Sequence, residues 1–126
     1  MRRTPSLTEP PQARNVSDRP PEPFRCDVEP AREHVRVVPR GEVDLETAPA
    51  LDARLRELCE SGFGHLVLDL REVTFMDSTG LRVVLDWDDF ARRDGIAFTL
   101  IPGPPALQRL FEITGVLDRL RFEPPR

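Results

Sequence analysis

The run Asp77-Ser78-Thr79-Gly80 carries the residue types with the clearest chemical potential in this 126-residue chain. A serine hydroxyl can attack an electrophile, cap a helix or accept a phosphoryl group. As a nucleophile it would need a base beside it. The two histidines, His34 and His65, lie in strand-like stretches, and nothing in the sequence places either one near Ser78. We therefore predict that the chain is not an enzyme.

Other signatures of catalysis and metal binding are incomplete. Met76 stands where the Gly-x-Ser-x-Gly elbow of hydrolases would begin. The segment Gly62-Phe63-Gly64 lacks the Gly-Lys-Ser/Thr end of a phosphate-binding loop. Cys26 and Cys59 have neither a Cys-x-x-Cys spacing nor histidines nearby, so we predict reduced, structural thiols. We expect no cofactor and no metal.

Composition and charge predict the cellular location of the chain and limit its possible partners. The formal net charge is −4. The first 25 residues are net positive, so the whole acidic excess falls after them, which makes the body a poor binder of nucleic acid. No apolar run is long enough for a signal peptide or a membrane span. We expect a cytoplasmic protein with no nucleic-acid partner and no direct membrane insertion.

The first 23 residues differ in composition from the rest of the chain. They are rich in Pro, Arg, Ser, Thr and Glu, and Leu7 and Val16 are almost their only apolar side chains. Such a segment cannot bury enough surface to offset the entropy of ordering. We predict a disordered Pro/Arg-rich extension over residues 1–23, one domain over residues 24–122 and a polar tail over residues 123–126.

Apolar patterns predict the elements that position Ser78. Residues 24–28 and 34–38 are predicted to form an antiparallel hairpin, and Pro39 is predicted to lie at the end of the second strand or at a sheet edge. Gly41-Glu42-Val43-Asp44 is predicted to be a loop before a helix capped by Thr47. Residues 65–70 are apolar without alternation, which is typical of a central buried strand.

The second half of the chain repeats this alternation of strand and helix. Residues 73–76 are strand-like or loop-like, and a helix is predicted from Ser78 to about Asp94, ended by Gly95. A strand over residues 96–101 and a helix opening at Pro104 follow. Consecutive strand-helix-strand passages imply right-handed parallel crossovers, and hence a mixed α/β sheet.

The helix that begins near Ser78 is apolar over an unusually wide arc. One side of the arc holds the predicted core residues Leu81, Val84, Leu85 and Ala91. The other side holds Val83, Trp87 and Phe90. These three either extend the core or form an exposed binding surface beside Ser78. Asp88 interrupts the arc.

The order of these segments resembles a known family. Gly41-Glu42-Val43-Asp44, a helix, an apolar strand, Phe75-Met76-Asp77-Ser78-Thr79-Gly80-Leu81, and later Leu110-Phe111 before Thr114-Gly115 are similar to the anti-sigma factor antagonist branch of the STAS domain family. The resemblance covers roughly Phe24 to Phe122. It implies a mixed sheet of four or five strands with about three to four helices packed on one side.

The resemblance also implies a function. Members of this branch bind an anti-sigma factor that is also a serine kinase, and so release a sigma factor. Here Ser78 would be the phosphorylated residue, and a serine phosphatase would act on phospho-Ser78. The implied partner-binding residues are Asp44, Asp77, Ser78, Thr79, Gly80, Val83 and Trp87. The alternative is a STAS scaffold or adaptor module of a signalling assembly or membrane transporter.

The spacing alone places Ser78 at or next to the N-cap of the following helix and favours a simpler role, plain capping by the Asp and Ser of this turn. A phosphate at this position would carry about −1.5 to −2 charges and would meet the positive end of the helix dipole. Phosphorylation should therefore leave the domain folded and act on a bound partner. The cap and the switch are compatible roles for one residue.

Overall fold

A computed structural model describes residues 23–125 of the chain. The predicted disordered extension, apart from Pro23, lies outside the described residues, as does Arg126 of the predicted tail. The described part contains eight elements in the order β1 (Arg25–Pro30), β2 (Val35–Val43), α1 (Ala48–Glu60), β3 (His65–Asp69), β4 (Val73–Met76), α2 (Ser78–Asp94), β5 (Ala97–Ile101) and α3 (Pro105–Ile113).

The five described strands form one mixed sheet. Four of them are neighbours in the order β1-β2-β3-β5, and β4 pairs with β2. β1 and β2 are the predicted antiparallel hairpin, whereas β3 is parallel to both β2 and β5. β4 runs parallel to the second half of β2. The prediction of a central buried strand is confirmed, because Leu66, Val67 and Leu68 of β3 are all 0% exposed.

β2 is longer than the sequence pattern predicted. The predicted strand end at Pro39 and the predicted loop from Gly41 are both wrong, since β2 continues to Val43. β2 pairs with β3 as far as Val37 and with β4 from Gly41 onwards. Pro39 lies in the stretch of β2 between these two pairings. There β2 has no parallel neighbour that would need a hydrogen bond from the backbone N–H that proline lacks.

The core lies between one face of the sheet and the helices. Register aligns Val35, Leu66 and Phe98 in one row and Val37, Leu68 and Leu100 in the next. All three helices contribute side chains to this same cluster, namely Leu51, Leu55, Val84, Ala91, Leu107 and Phe111. Full burial of one such large side chain contributes about 1.5–3 kcal/mol. The predicted packing of the helices on one side of the sheet is confirmed.

The opposite face of the sheet carries charged groups. Asp69, at the end of β3, is 2% exposed and accepts hydrogen bonds from Arg36 Nη1 at 3.0 Å and Arg71 Nη2 at 2.7 Å. Burial alone would raise its pKa. The hydrogen bonds from Arg71 and the charges of Arg71 and Arg36 outweigh that effect and hold the pKa of Asp69 below its ordinary value of 3.8.

Acid should therefore destabilise the fold through Asp69. Because the folded-state pKa lies below the unfolded value, the carboxylate's contribution is complete above about pH 4 and is lost as the pH falls through the folded-state pKa. We expect Asp69→Asn to lower the free energy of unfolding by about 1–3 kcal/mol relative to wild type at pH 7. Urea titrations at neutral and acid pH measure this gap. A gap that stays constant down to about pH 3 would contradict the assignment.

Asp88 is a second buried charge. It lies within the apolar arc of α2, is 1% exposed and accepts from Arg92 Nε at 3.0 Å and Arg119 Nε at 3.4 Å. Arg92 also donates to the Arg119 carbonyl oxygen. Asp88 therefore fastens α2 to the segment that follows α3, which explains why a carboxylate occurs among apolar positions.

Candidate functional site

The candidate site lies where β2 and β4 end side by side. Val43 pairs with Met76, and the backbone N–H of Asp77 donates to the Val43 carbonyl oxygen at 3.2 Å. Asp44 and Asp77 are the next residues of the two strands, so they leave the sheet at the same edge. The structure thus places the predicted Asp44 loop beside the predicted Ser78 segment.

Asp77 begins α2. Its backbone is extended, and its Oδ1 accepts hydrogen bonds from the backbone N–H groups of Thr79 at 2.9 Å and Gly80 at 3.1 Å. Ser78 is the first helical residue and is exposed. Within residues 23–125, no side chain or backbone group hydrogen-bonds the Ser78 hydroxyl. The cap is therefore Asp77, and the Ser78 hydroxyl stays available to an enzyme.

Removing the cap should weaken α2 measurably. Asp77→Ala leaves the N–H groups of Thr79 and Gly80 without their acceptor, which costs about 1 kcal/mol. For a domain of this size that lowers the melting temperature by roughly 4–8 °C. Asp86→Ala is the matched control, because Asp86 is exposed on the same helix. Equal melting temperatures for the two variants would contradict the capping role.

The loop after β2 is held by two side chains. Asp44 Oδ1 accepts from the backbone N–H groups of Glu46 at 3.0 Å and Thr47 at 3.1 Å. Thr47 Oγ1 accepts from Asp44 N at 2.9 Å and donates to the Glu42 carbonyl oxygen at 2.6 Å. Thr47 occupies the predicted N-cap position of α1, but its side chain makes no cap bond there. Instead it fixes Asp44 at the edge of the site.

Gly80 allows α2 to approach the sheet. It is buried, and a Cβ at this position would lie 2.6 Å from the Val43 carbonyl oxygen. Gly80 therefore contributes to the site by permitting close packing of the helix. Thr79 and Val83 are half-buried on the side of α2 that faces α1.

A groove between the first two helices, the α1–α2 cleft, opens beside Ser78. It has a volume of ≈470 Å³ and is lined by Pro49, Asp52, Arg56, Thr79, Val83, Asp86, Trp87 and Phe90. Trp87 Nε1 donates to Asp52 Oδ1 at 2.8 Å, and the Phe90 ring packs edge-on at 5.2 Å. Trp87 is only 5% exposed, so it mainly packs α2 against α1, whereas Phe90 is half-buried.

The burial pattern of α2 differs from the predicted one in part. Val84 and Ala91 are buried as expected, whereas Leu81 and Leu85 are only half-buried against the core. Trp87 is more buried than either leucine. The physical reason is that α2 packs on two surfaces at once, the sheet on one side and α1 on the other.

The structure adds two residues that sequence reasoning missed. Leu45, next to Asp44, is 72% exposed, and Phe75, which precedes Met76, is 53% exposed. The signal for Leu45 was an apolar residue inside a polar loop. Leu45 directly follows Asp44, and Phe75 lies two residues before Asp77, so both exposed side chains belong to the segments where β2 and β4 end.

The two cysteines are free thiols. Burial raises the pKa of Cys26 to about 11 and also raises the pKa of Cys59. Over residues 23–125, no three His, Cys, Asp or Glu side chains are arranged to hold a metal ion. No helix in the described range is both long and apolar enough to cross a membrane.

Comparison with known proteins gives consistent results. A family model described as "Mlab, STAS domain" matches residues 26–121. The anti-sigma-B factor antagonist of Bacillus subtilis (strain 168) is 36% identical over 95 residues, which cover 75% of this chain and 86% of that protein.

Solved structures share the fold. An anti-sigma factor antagonist from Mycobacterium paratuberculosis has a TM-score of 0.69 at 26% identity, covering 82% of this chain and 87% of that one. The Bacillus cell fate determinant SpoIIAA in its phosphorylated form has a TM-score of 0.63 at 20% identity, with 82% and 92% covered. With a matching model over most of its length, this chain belongs to the STAS domain family, in the branch of the anti-sigma factor antagonists.

Proposed function

We propose that this chain is an anti-sigma factor antagonist that binds an anti-sigma factor and thereby releases a sigma factor. Phosphorylation of Ser78 by the serine kinase activity of that partner switches the binding off, and a serine phosphatase restores it. The observation that carries the proposal is the exposed Ser78 hydroxyl at the start of α2, beside Asp44 and the exposed Leu45. The partner surface comprises Asp44, Asp77, Ser78 and Thr79.

The environment of Ser78 favours an effect on binding. Its neighbours Thr79 and Gly80 already donate their backbone N–H groups to Asp77, so a phosphate cannot take these two donors without displacing the carboxylate. The new charge then faces a docked protein together with Asp77 and Asp44. Two charges about 4 Å apart interact by roughly 4 kcal/mol at an effective dielectric constant of 20, which corresponds to up to about a thousandfold in affinity.

The positions of the histidines support binding and not catalysis. His65 is the first residue of β3 and His34 directly precedes β2, and their rings lie 5.8 Å apart. Both are therefore at the amino ends of parallel strands, whereas Ser78 follows the carboxyl end of β4. The described histidines do not supply a base for Ser78.

Phosphate mapping tests the assignment of Ser78. The full chain is incubated with its cognate anti-sigma kinase and ATP, and the modified residue is located by mass spectrometry. We expect phosphate on Ser78 and none on a Ser78→Ala variant. Ser61→Ala is the matched control, because Ser61 is also exposed but follows α1, and it should be phosphorylated like wild type. A Ser78→Ala variant phosphorylated to the same extent as wild type would contradict the proposal.

Affinity purification distinguishes the scaffold alternative. Unmodified chain should retain an anti-sigma factor, and phosphorylated chain should lose it. Recovery of a membrane-transport ATPase or a large signalling assembly by both forms would favour the adaptor role.

A further inference from the structure

A single cation belongs to the segments that build the candidate site. These segments are residues 43–49 and 73–85, and Arg82 is the one Lys or Arg in them. The same segments carry three carboxylates, those of Asp44, Glu46 and Asp77. A phosphate on Ser78 would add about −1.5 to −2 charges to this acidic surface. Within these segments, Arg82 is the only group that can neutralise it.

Arg82 is placed to meet a group carried by Ser78. Both residues belong to α2, which is continuous from Ser78 to Asp94, and they are four positions apart. Residues i and i+4 of an α-helix lie on the same face, with their Cβ atoms about 5–6 Å apart. Helical side chains lean towards the amino end of their helix, which is the direction of Ser78 from Arg82. A guanidinium at position 82 therefore reaches a phosphate at position 78 across one turn.

The Arg82 side chain is not engaged elsewhere. It is exposed, and within the part of the chain that the structure describes it forms no hydrogen bond or ion pair, although Asp86 lies one turn further along α2. Arg92 of the same helix, in contrast, donates from Nε to Asp88 Oδ2 at 3.0 Å. Arg82 is therefore a free guanidinium close to the exposed Ser78 hydroxyl.

The backbone donors at the start of α2 are largely occupied. Asp77 Oδ1 accepts from the N–H groups of Thr79 and Gly80, and the Leu81 N–H donates to the Asp77 carbonyl oxygen at 3.0 Å. A phosphate on Ser78 therefore depends on a side-chain donor. A guanidinium suits this role, because its parallel N–H groups match two phosphate oxygens.

We propose that Arg82 binds the phosphate on Ser78, so that α2 itself contains the counter-charge of the switch. The proposal rests on the proposed phosphorylation of Ser78. In the unmodified chain the hydroxyl and the guanidinium are separate exposed groups, and in the modified chain they become one ion pair. Phosphorylation thus changes the partner surface twice, since it adds a phosphate and withdraws Arg82. The pair also offsets repulsion of the phosphate by Asp44 and Asp77.

A chain synthesised with phosphoserine at position 78 tests the pair without a kinase. Phosphorus-31 NMR measures the second pKa of the phosphate, ordinarily about 6, in the wild-type sequence and in Arg82→Gln. A nearby cation favours the dianion, so the pKa should be lower with Arg82 than without it, by about 0.3–0.7 pH units. The carboxylates of Asp44, Glu46, Asp77 and Asp86 are present in both chains, so the difference reports on Arg82.

Two further variants show whether the effect depends on position and on charge. Arg93→Gln is the matched control, because Arg93 is also exposed on α2 but lies fifteen residues, or about 22 Å, from Ser78. It should leave the phosphate pKa unchanged. Arg82→Lys keeps the positive charge and should restore most of the pKa of the wild-type sequence.

Melting temperatures give an independent measurement. Phosphorylation should lower the melting temperature of Arg82→Gln by roughly 2–6 °C more than that of wild type, because the phosphate then lacks its counter-charge. Without phosphate, Arg82→Gln should stay within a few degrees of wild type, as expected for an exposed side chain without partners.

Two outcomes would overturn the proposal. The first is the same phosphate pKa in the wild-type sequence and in Arg82→Gln. The second is an equal change in Arg82→Gln and Arg93→Gln, which would show an effect of net charge alone. The kinase assay decides whether Ser78 is the modified residue, and the NMR comparison decides whether Arg82 binds the phosphate, so the two failures are distinguishable.

Discussion

A Gly80→Ala variant should unfold at a markedly lower temperature than wild type. An added Cβ would lie 2.6 Å from the Val43 carbonyl oxygen and 2.8 Å from Met76 Cγ. The oxygen belongs to the backbone of β2 and cannot rotate away, so α2 itself must move. Overpacking of this kind costs about 1–3 kcal/mol, which in a domain of this size corresponds to roughly 10 °C in melting temperature.

Gly64→Ala is the matched control for this substitution. A Cβ at Gly64 meets nothing within 4 Å, and its backbone does not require a glycine. Its effect on stability should stay within about 0.5 kcal/mol. Calorimetry of the two variants decides the point, and a Gly80→Ala protein as stable as Gly64→Ala would refute the close approach of α2 to β2.

Ser78→Asp should abolish most of the binding to the anti-sigma factor while leaving the fold intact. One added negative charge at the interface should weaken the affinity by up to about a thousandfold before screening by salt. The same charge at the first residue of α2 meets the positive end of the helix dipole, which is worth about 0.3–1 kcal/mol in favour of the folded state. The melting temperature should therefore stay within a few degrees of wild type.

Ser78→Asn separates charge from shape in this experiment. Asparagine has nearly the shape of aspartate but no charge, so it should bind far better than Ser78→Asp. Isothermal titration at two salt concentrations measures both affinities, and the gap between them should narrow at high salt. Equal losses for Asn and Asp would mean that the side chain's size, and not its charge, disrupts the contact.

The sequence was informative where local chemistry decides the structure. Gly95 ends α2 with φ +74°, as its position after a polar turn predicted. The unbroken apolar run of β3 correctly indicated burial on both faces. The segment Asp77-Ser78 correctly marked the start of α2, with Asp77 as the N-cap and Ser78 next to it.

The predictions that failed or stayed open concern residues whose surroundings are set by segments distant in the sequence. Pro39 normally marks a strand end or an edge, and only the change of partner from β3 to β4 makes it tolerable inside β2. The apolar arc of α2 could not reveal that α1 covers its second side, so the burial of Trp87 stayed open. The burial of Asp88 is likewise explained by its hydrogen bond from Arg119, which lies thirty-one residues later in the chain.

The shared end of β2 and β4 constrains how this chain can vary. A one-residue insertion or deletion in either strand would shift Asp44 against Ser78 by about 3.3 Å and would turn the following side chains to the opposite face. Loops elsewhere tolerate changes in length, since loop closure costs little extra entropy. Length variation among natural relatives should therefore fall outside these two strands, and a chain with an altered strand length would have lost the alignment between its loop and its serine.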